Sequence, residues 1–271
     1  MSKRNSQASK SAARERLRAE RERQAKKDKA RKQIVVGVSV VAVLAVAGAV
    51  SYGVMQLNKP SAWEAAADAK NVSAPKNTSG DDGTTVVIGK DSAKKTLELY
   101  EDSRCPVCAT FEQSVGETVA KDVEAGKYKI KYIGATFIDN AANGEGSKNA
   151  LSALGAALDV SPEAFLDYKS ALYSAKFHPE ETDDKFAKDD YLLEVADSVD
   201  ALKGNKAFEK AVKDGTYDAW AMKMSKTFDK SGVKGTPTLM MDGKKITTEG
   251  SDNAPMTEAD FNTAITAALK G

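Results

Sequence analysis

Cysteine is almost absent from these 271 residues, which hold two, and histidine occurs once. That scarcity excludes a framework of several disulfides, the usual support of small secreted domains. A structural zinc site takes about four ligands, and beyond the two cysteines the chain offers only His178. Neither a metal nor a cofactor is therefore expected. A large net charge is also missing, but the +1 total hides a split: residues 1–33 carry thirteen Lys/Arg and four Asp/Glu, a balance of +9, which leaves −8 for the remainder. The basic segment has no aromatic interleaving, and its Arg/Glu alternation from Ala13 to Arg23 reads as a solvated arm rather than a nucleic-acid contact. No partnership with nucleic acid is expected.

Charge is wholly lacking from Ile34 to Leu57, 24 consecutive positions. As a helix this stretch would be roughly 36 Å long, enough to cross the hydrocarbon core with some tilt. The basic flank then stays in the cytoplasm and the C-terminal part lies outside. Ala47-Gly48-Ala49 offers the small residues of a signal-peptidase site, but the long basic region and long apolar run favour an uncleaved anchor. Residues 58–83, with Pro60, Pro75, Gly80 and Gly83 among many small polar residues, read as a linker, with Trp63 at the membrane surface. The expected organisation is a tail at 1–33, a transmembrane helix at 34–57, a linker at 58–83 and a globular domain at 84–271.

The two cysteines stand in Cys105-Pro106-Val107-Cys108, after the apolar strand Leu97–Tyr100. A proline at the first helical position loses nothing, since its missing N–H is unpaired there anyway. Three residues separate the sulfurs, so they share a helix face and can bond to each other. Cys105 lies against the free N–H groups of the helix N-terminus, which favour an anion and lower a thiol pKa. A disulfide closing so short a loop stabilises by only about 1.9 kcal/mol in the chain-entropy formula, a weak staple. The spacing points instead to a dithiol/disulfide redox centre.

Around it, Thr85–Ile88 and Tyr128–Ile133 read as strands. Val107, Phe111, Val115, Val119 and Val123 form a core-facing stripe at spacing four, with Gly116 marking a bend and Gly126 ending the helix. Helices follow, one opened by Ser161-Pro162-Glu163, another bearing Tyr217, Trp220, Met224 and Phe228. His178 reads as a polar residue at a helix end. Gly235-Thr236-Pro237-Thr238 leads into a hairpin turning at Asp242-Gly243, and Thr257–Asp260 caps a final helix.

Strand, cysteine helix, strand, helical insert and hairpin, with Tyr100–Cys108 early and Gly235–Thr238 late, resemble the DsbA-like thiol:disulfide oxidoreductases of the thioredoxin superfamily, especially membrane-anchored ones of Gram-positive and actinobacterial type. The resemblance covers roughly residues 84–270. It implies an α/β thioredoxin-like fold with a helical insertion at about 140–215, preceded by one transmembrane helix. It also implies roles. Cys105 would enter the mixed disulfide and Cys108 resolve it. Pro237 would be cis beside them, and Thr236 would present its backbone to an extended substrate. Pro106 and Val107 would tune the redox pair. The partners implied are unfolded exported proteins with free cysteines, a membrane reoxidase and membrane lipid. Two departures bear on redox strength: Val107 replaces the histidine of strongly oxidising members, and Leu99 occupies the position where members often bury a carboxylate, with Glu98 and Glu101 nearby. A reductase or isomerase is the same-class alternative, and a non-catalytic chaperone module on the same scaffold is the other.

Overall fold

A computed structural model describes residues 61–80 and 83–270, together with Arg23, Lys26 and Lys27, which are helical and exposed. The chain divides into compact units at 1–60 and 61–271. Among the described residues no helix is long and apolar enough to cross a membrane. The span expected at 34–57, and the tail at 1–33 apart from those three residues, lie outside the described residues.

The sheet has five strands: β1 (Val86–Ile88), β2 (Thr96–Asp102), β3 (Lys129–Ala135), β4 (Thr238–Met241) and β5 (Lys244–Lys245). Their spatial order is β1-β3-β2-β4-β5. β2 is central: it runs parallel to β3 from Thr96↔Lys129 to Asp102↔Ala135 and antiparallel to β4 from Leu97↔Met241 to Tyr100↔Thr238. Parallel strands need a crossover, and the cysteine helix supplies it. It consists of α2 (Pro106–Phe111), a π-helical turn at Glu112–Gly116, and α3 (Glu117–Ala125), closed by Gly126 at φ 80°. The β4–β5 hairpin turns at Asp242 and Gly243, both with positive φ (51° and 74°), the backbone that an Asp-Gly turn accommodates best.

Between β3 and β4 lies the helical insertion: α4 (Phe137–Ala141), α5 (Gly146–Val160), α6 (Pro162–Tyr173), α7 (Asp189–Ala196) and α8 (Lys206–Lys213). α9 (Asp218–Lys230) then packs on β3 and α5. α6 starts where Ser161 accepts from the Ala164 N–H with Pro162 in the first turn. The α5 face, with Ala150, Leu151, Leu154 and Leu158, is entirely buried, and Trp220, Phe165, Tyr168 and Phe208 fill the space around it. A last helix, α10 (Glu258–Lys270), covers the other side of the sheet, with Phe261 edge-on to Phe111 at 6.3 Å between ring centres.

Two expectations need correction. The stretch expected as a linker is bound to the domain from Ser61 onward: Ser61 and Glu64 form a reciprocal cap on a short helix, α1 (Ala62–Ala67), which packs on α9. Beyond it Val72 joins the core, Pro75 is buried, and Lys76 bonds Asp159 through both its N–H and its Nζ (2.9 and 2.8 Å). Its small and polar residues stay largely exposed, but these bonds and contacts hold the segment along the helices rather than leave it a free tether. Second, Phe111, Val115, Val119 and Val123 are buried as expected, but Val107 is 49% exposed. It sits in the first turn, where the helix projects past the sheet end and, among the described residues, no layer covers that face.

Candidate active site

The C-terminal end of β2 changes character abruptly. After Leu97 and Leu99 come Glu101, Asp102, Ser103 and Arg104, all buried. Asp102 builds the turn: its carbonyl accepts from the Cys105 N–H (2.9 Å) and its carboxylate from the Arg104 N–H (3.1 Å), the Ile138 N–H (3.1 Å) and the Ser147 hydroxyl (2.6 Å). Burial pushes the Asp102 carboxyl up to about 7, against the pull of those donors. Arg104, 1% exposed, reaches away from the cysteines into the insertion. It donates to Asp139 (2.9 Å) and to the Glu181 carbonyl (2.7 Å) and lies 3.2 Å from Asp184. Those two carboxylates also cap the start of α5, Asp184 accepting from the N–H groups of Glu145 and Gly146, and Asp139 from those of Ser147 and Lys148. The turn before Cys105 is thus tied to the helical insertion by a buried ionic network.

Cys105 is the N-cap of α2, with extended backbone (φ −73°, ψ 116°), and Pro106 occupies the first helical position. Cys105 retains 6% of its surface; Cys108, one turn inward, retains none. This small difference in access accompanies a large one in acidity. The Cys108 thiol donates to the Cys105 sulfur and, against burial, lowers the Cys105 pKa from 9.0 to about 6; Thr236 and the backbone N–H groups of Cys108 and Val107 contribute further. Cys108 moves the opposite way, driven up first by burial and then by its bond to Cys105 and the charge of Glu101.

The antiparallel register carries the chain before β4 past the end of β2 and up to the cysteines. There the Thr236–Pro237 peptide is cis. The Cys105 thiol donates to the Thr236 carbonyl at 3.6 Å. The Thr236 hydroxyl is buried with no other partner, so it is free to turn toward the sulfur when that becomes an anion. Beside this pair opens a groove of about 850 Å³, lined by Val107, Val233, Pro237, Met240 and Met256 with Lys234 and Lys245 at its edge. Methionine walls adapt to varied apolar side chains. Cys105, Cys108, Pro106, Val107, Thr236 and Pro237 therefore come together at one place. The Val107 backbone faces the sulfur while its side chain lines the groove.

Beneath the cysteines is a charge cluster that sequence reading left unassigned. Leu99 is apolar core; Glu101, two residues later on the strand, supplies the buried carboxylate. Lys169 on α6 bridges it to Glu112, at 3.1 Å and 2.5 Å. Burial raises Glu101 to about 7 although Lys169 pulls it down. Burial disfavours the Lys169 charge, but the two carboxylates outweigh it and hold the ammonium above its ordinary range. Glu112 reaches Lys169 by folding over Gly116, where a Cβ would lie 2.6 Å from the Glu112 carboxyl carbon. A signal for the cluster existed: Lys169 falls on the apolar stripe of Phe165, Tyr168 and Leu172, and a lysine there demands a buried anion. Tyr132 and Tyr173 turn unpaired hydroxyls into the same space, and His178 stacks on Tyr173 at 5.9 Å. His178 lies just past the end of α6, where its N–H donates to the Ser174 carbonyl, and its ring forms part of the wall behind the site.

Comparison with known proteins gives a consistent outcome. The family model described as thioredoxin matches residues 81–267. Disulfide bond formation protein D of Bacillus subtilis is 26% identical over 161 residues, which cover 59% of this chain and 68% of that protein. Among solved structures, oxidised DsbA of Mycobacterium tuberculosis aligns with a TM-score of 0.56 at 26% identity, covering 69% of this chain and 93% of that one. The MdbA thiol-disulfide oxidoreductase of Actinomyces oris aligns with a TM-score of 0.59 at 20% identity over 73% and 93%, a likeness of fold.

Proposed function

The chain belongs to the thioredoxin family, and from that premise we propose that it is a thiol:disulfide oxidoreductase that introduces disulfides into exported proteins through Cys105 and Cys108. The observation that carries this reading is the divergence of the two thiols: Cys105, at the groove, is lowered to about 6 while Cys108 is buried and raised. Stabilising the Cys105 thiolate stabilises the reduced enzyme, which makes the disulfide form the better oxidant.

In the oxidised enzyme a substrate thiolate attacks the Cys105 sulfur. The Cys105–Cys108 bond breaks, and its electron pair leaves on Cys108, which takes up a proton because its pKa is high. Glu101, poised near neutrality, is the charged group acting on Cys108 from below and is suited to exchange that proton. The second substrate thiolate then attacks the substrate sulfur of the mixed disulfide and expels Cys105 as a thiolate, a good leaving group at its lowered pKa. Two electrons pass from substrate to enzyme, and a membrane reoxidase returns the enzyme to the disulfide. The Thr236 backbone and the Met240–Met256 groove suit an extended, unfolded substrate. The charge-free stretch 34–57 behind a +9 tail supports a single-pass anchor with the catalytic domain outside the cytoplasm.

The test is substrate trapping in cells. Cys108→Ala accumulates mixed disulfides with exported proteins, Cys105→Ala accumulates none, and the purified oxidised wild type restores activity to a reduced, unfolded disulfide protein. Equal trapping by both variants, or no oxidation of the reduced protein, would overturn the assignment.

A further inference from the structure

The groove beside the cysteines carries its charge unevenly. Val107, Val233, Pro237, Met240, Ala254 and Met256 make an apolar lining, and α2, which contributes Val107, has no charged residue from Pro106 to Phe111. Arg104, although next to Cys105 in sequence, is buried and donates to Asp139 and the Glu181 carbonyl, so its charge is held within the insertion network. Only Lys234, Lys245 and Asp252 bring charge to the lining. Lys245 Nζ donates to the Asp252 carbonyl at 3.2 Å, so these two residues stand side by side and their opposite charges offset. Lys234 is exposed and, among the described residues, makes no ion pair. It is the charge left over, and a positive one in a part of the chain, residues 34–271, whose balance is −8.

Its place along the chain matters. Lys234 stands two residues before Thr236, whose carbonyl meets the Cys105 sulfur, and two residues span at most about 7 Å. An extended substrate rises about 3.3 Å per residue, so a side chain two positions from the substrate cysteine comes within reach of a lysine so placed. We propose that Lys234 selects substrates that carry an aspartate or glutamate within two residues of the cysteine that attacks Cys105. The inference rests on the oxidoreductase reading of the preceding subsection and names the substrate class for that site. In water such a neighbour is a handicap, because a carboxylate beside a thiol raises its pKa and lowers the thiolate fraction that attacks. At the groove the order reverses, since the ammonium of Lys234 meets the carboxylate as the substrate docks.

The test uses the full chain in its oxidised form and a set of unstructured dithiol peptides. They differ only in the residue two positions before or after the first cysteine, which is Asp, Gln or Lys. The rate at which each peptide reduces the enzyme disulfide is divided by its rate with hydroxyethyl disulfide, an uncharged reference that reads intrinsic thiol reactivity. The Asp peptide should be the slowest with the reference and, on one flank, the fastest with the enzyme. The Asp-to-Gln ratio should be roughly two- to fivefold, the worth of an exposed ion pair. Salt at 1 M, which shortens the screening length to about 3 Å, should bring that ratio close to one. Lys234→Gln should abolish the ratio and Lys234→Glu should invert it in favour of the Lys peptide. Lys244→Gln, which removes the same charge outside the groove, should leave the ratio standing. Oxidation of all peptides at equal normalised rates, or a preference that survives Lys234→Gln, would overturn the selection and leave the oxidoreductase reading intact. Failure to oxidise any peptide would overturn that reading and this one with it.

Discussion

Two thiols of the same intrinsic chemistry sit three residues apart and are driven in opposite directions, because one meets donors at a helix N-terminus while the other is sealed beneath it. The Cys105 pKa is lowered from 9.0 to about 6, so its stabilisation of the reduced form is full above about pH 9, shrinks as pH falls, and is gone below about 6. Thiolate absorbance should therefore titrate near pH 6, and the reduction potential should change slope there. Two protons accompany two electrons below that pH and one above it, giving about 59 and then about 30 mV per pH unit. Val107→His adds a donor beside the sulfur and should lower the Cys105 pKa further; an unchanged titration would show that a side chain at 107 does not reach the anion. Lys169 is the other decisive residue. Lys169→Met leaves Glu101 and Glu112 without their cation, and breaking such a buried pair costs on the order of 3–5 kcal/mol. Glu101, already raised to about 7, rises further in the variant, so the loss should be flat and smallest below about pH 6 and grow as pH rises through and past 7. Urea denaturation at pH 5 and pH 8 measures both the size and the sign.

At the scale of elements, the cysteine helix is two α segments joined by a π turn at Glu112–Gly116. The wider turn, together with a residue lacking Cβ at 116, lets Glu112 fold back toward Lys169 while Phe111 and Val115 stay in the core. Gly116→Ala puts a methyl group 2.6 Å from the Glu112 carboxyl carbon and must displace it. A destabilisation of about 1–3 kcal/mol, typical of overpacking, is expected, and Gly116→Ala added to Glu112→Gln should cost less than the sum of the two, because both act on one contact. Strict additivity in thermal denaturation would mean that the glycine serves the helix bend alone. β2 is the partner element: its end delivers Glu101 to the ion cluster and Asp102 to the turn, so strand and helix meet through charge as well as through Leu99 and Phe111.

For the whole molecule, the strap decides where the domain begins. Pro75 is buried, Val72 is half-buried against the core, and the Lys76–Asp159 and Trp220–Gly83 bonds join strap to helices. A chain started at residue 84 should melt several degrees below one started at residue 61, with Trp220 fluorescence shifted to the red because its indole loses its carbonyl partner and its cover. Equal melting temperatures would return the segment to the status of a tether.

Much of this was legible in order along the chain, because it depends on neighbours in sequence: the strand before Cys105, the proline at the first helical position, the Ser161 cap, the Asp242-Gly243 turn, and the early cysteine pair with its late Thr236-Pro237. What distant residues do for one another was not. Glu101 and Lys169 are 68 positions apart, and only the placement of α6 over β2 shows that the carboxylate two residues after Leu99 is the one under the cysteines. Periodicity put Val107 in the core, since a stripe at spacing four cannot tell where the layer it faces comes to an end. Composition made a linker of residues 58–83, since small and polar side chains suit free chain and a strap bound along the domain surface equally well. Local stereochemistry is encoded by adjacent residues and determines the motif; burial and pKa depend on what the folded chain brings alongside, and those the tertiary structure alone decided.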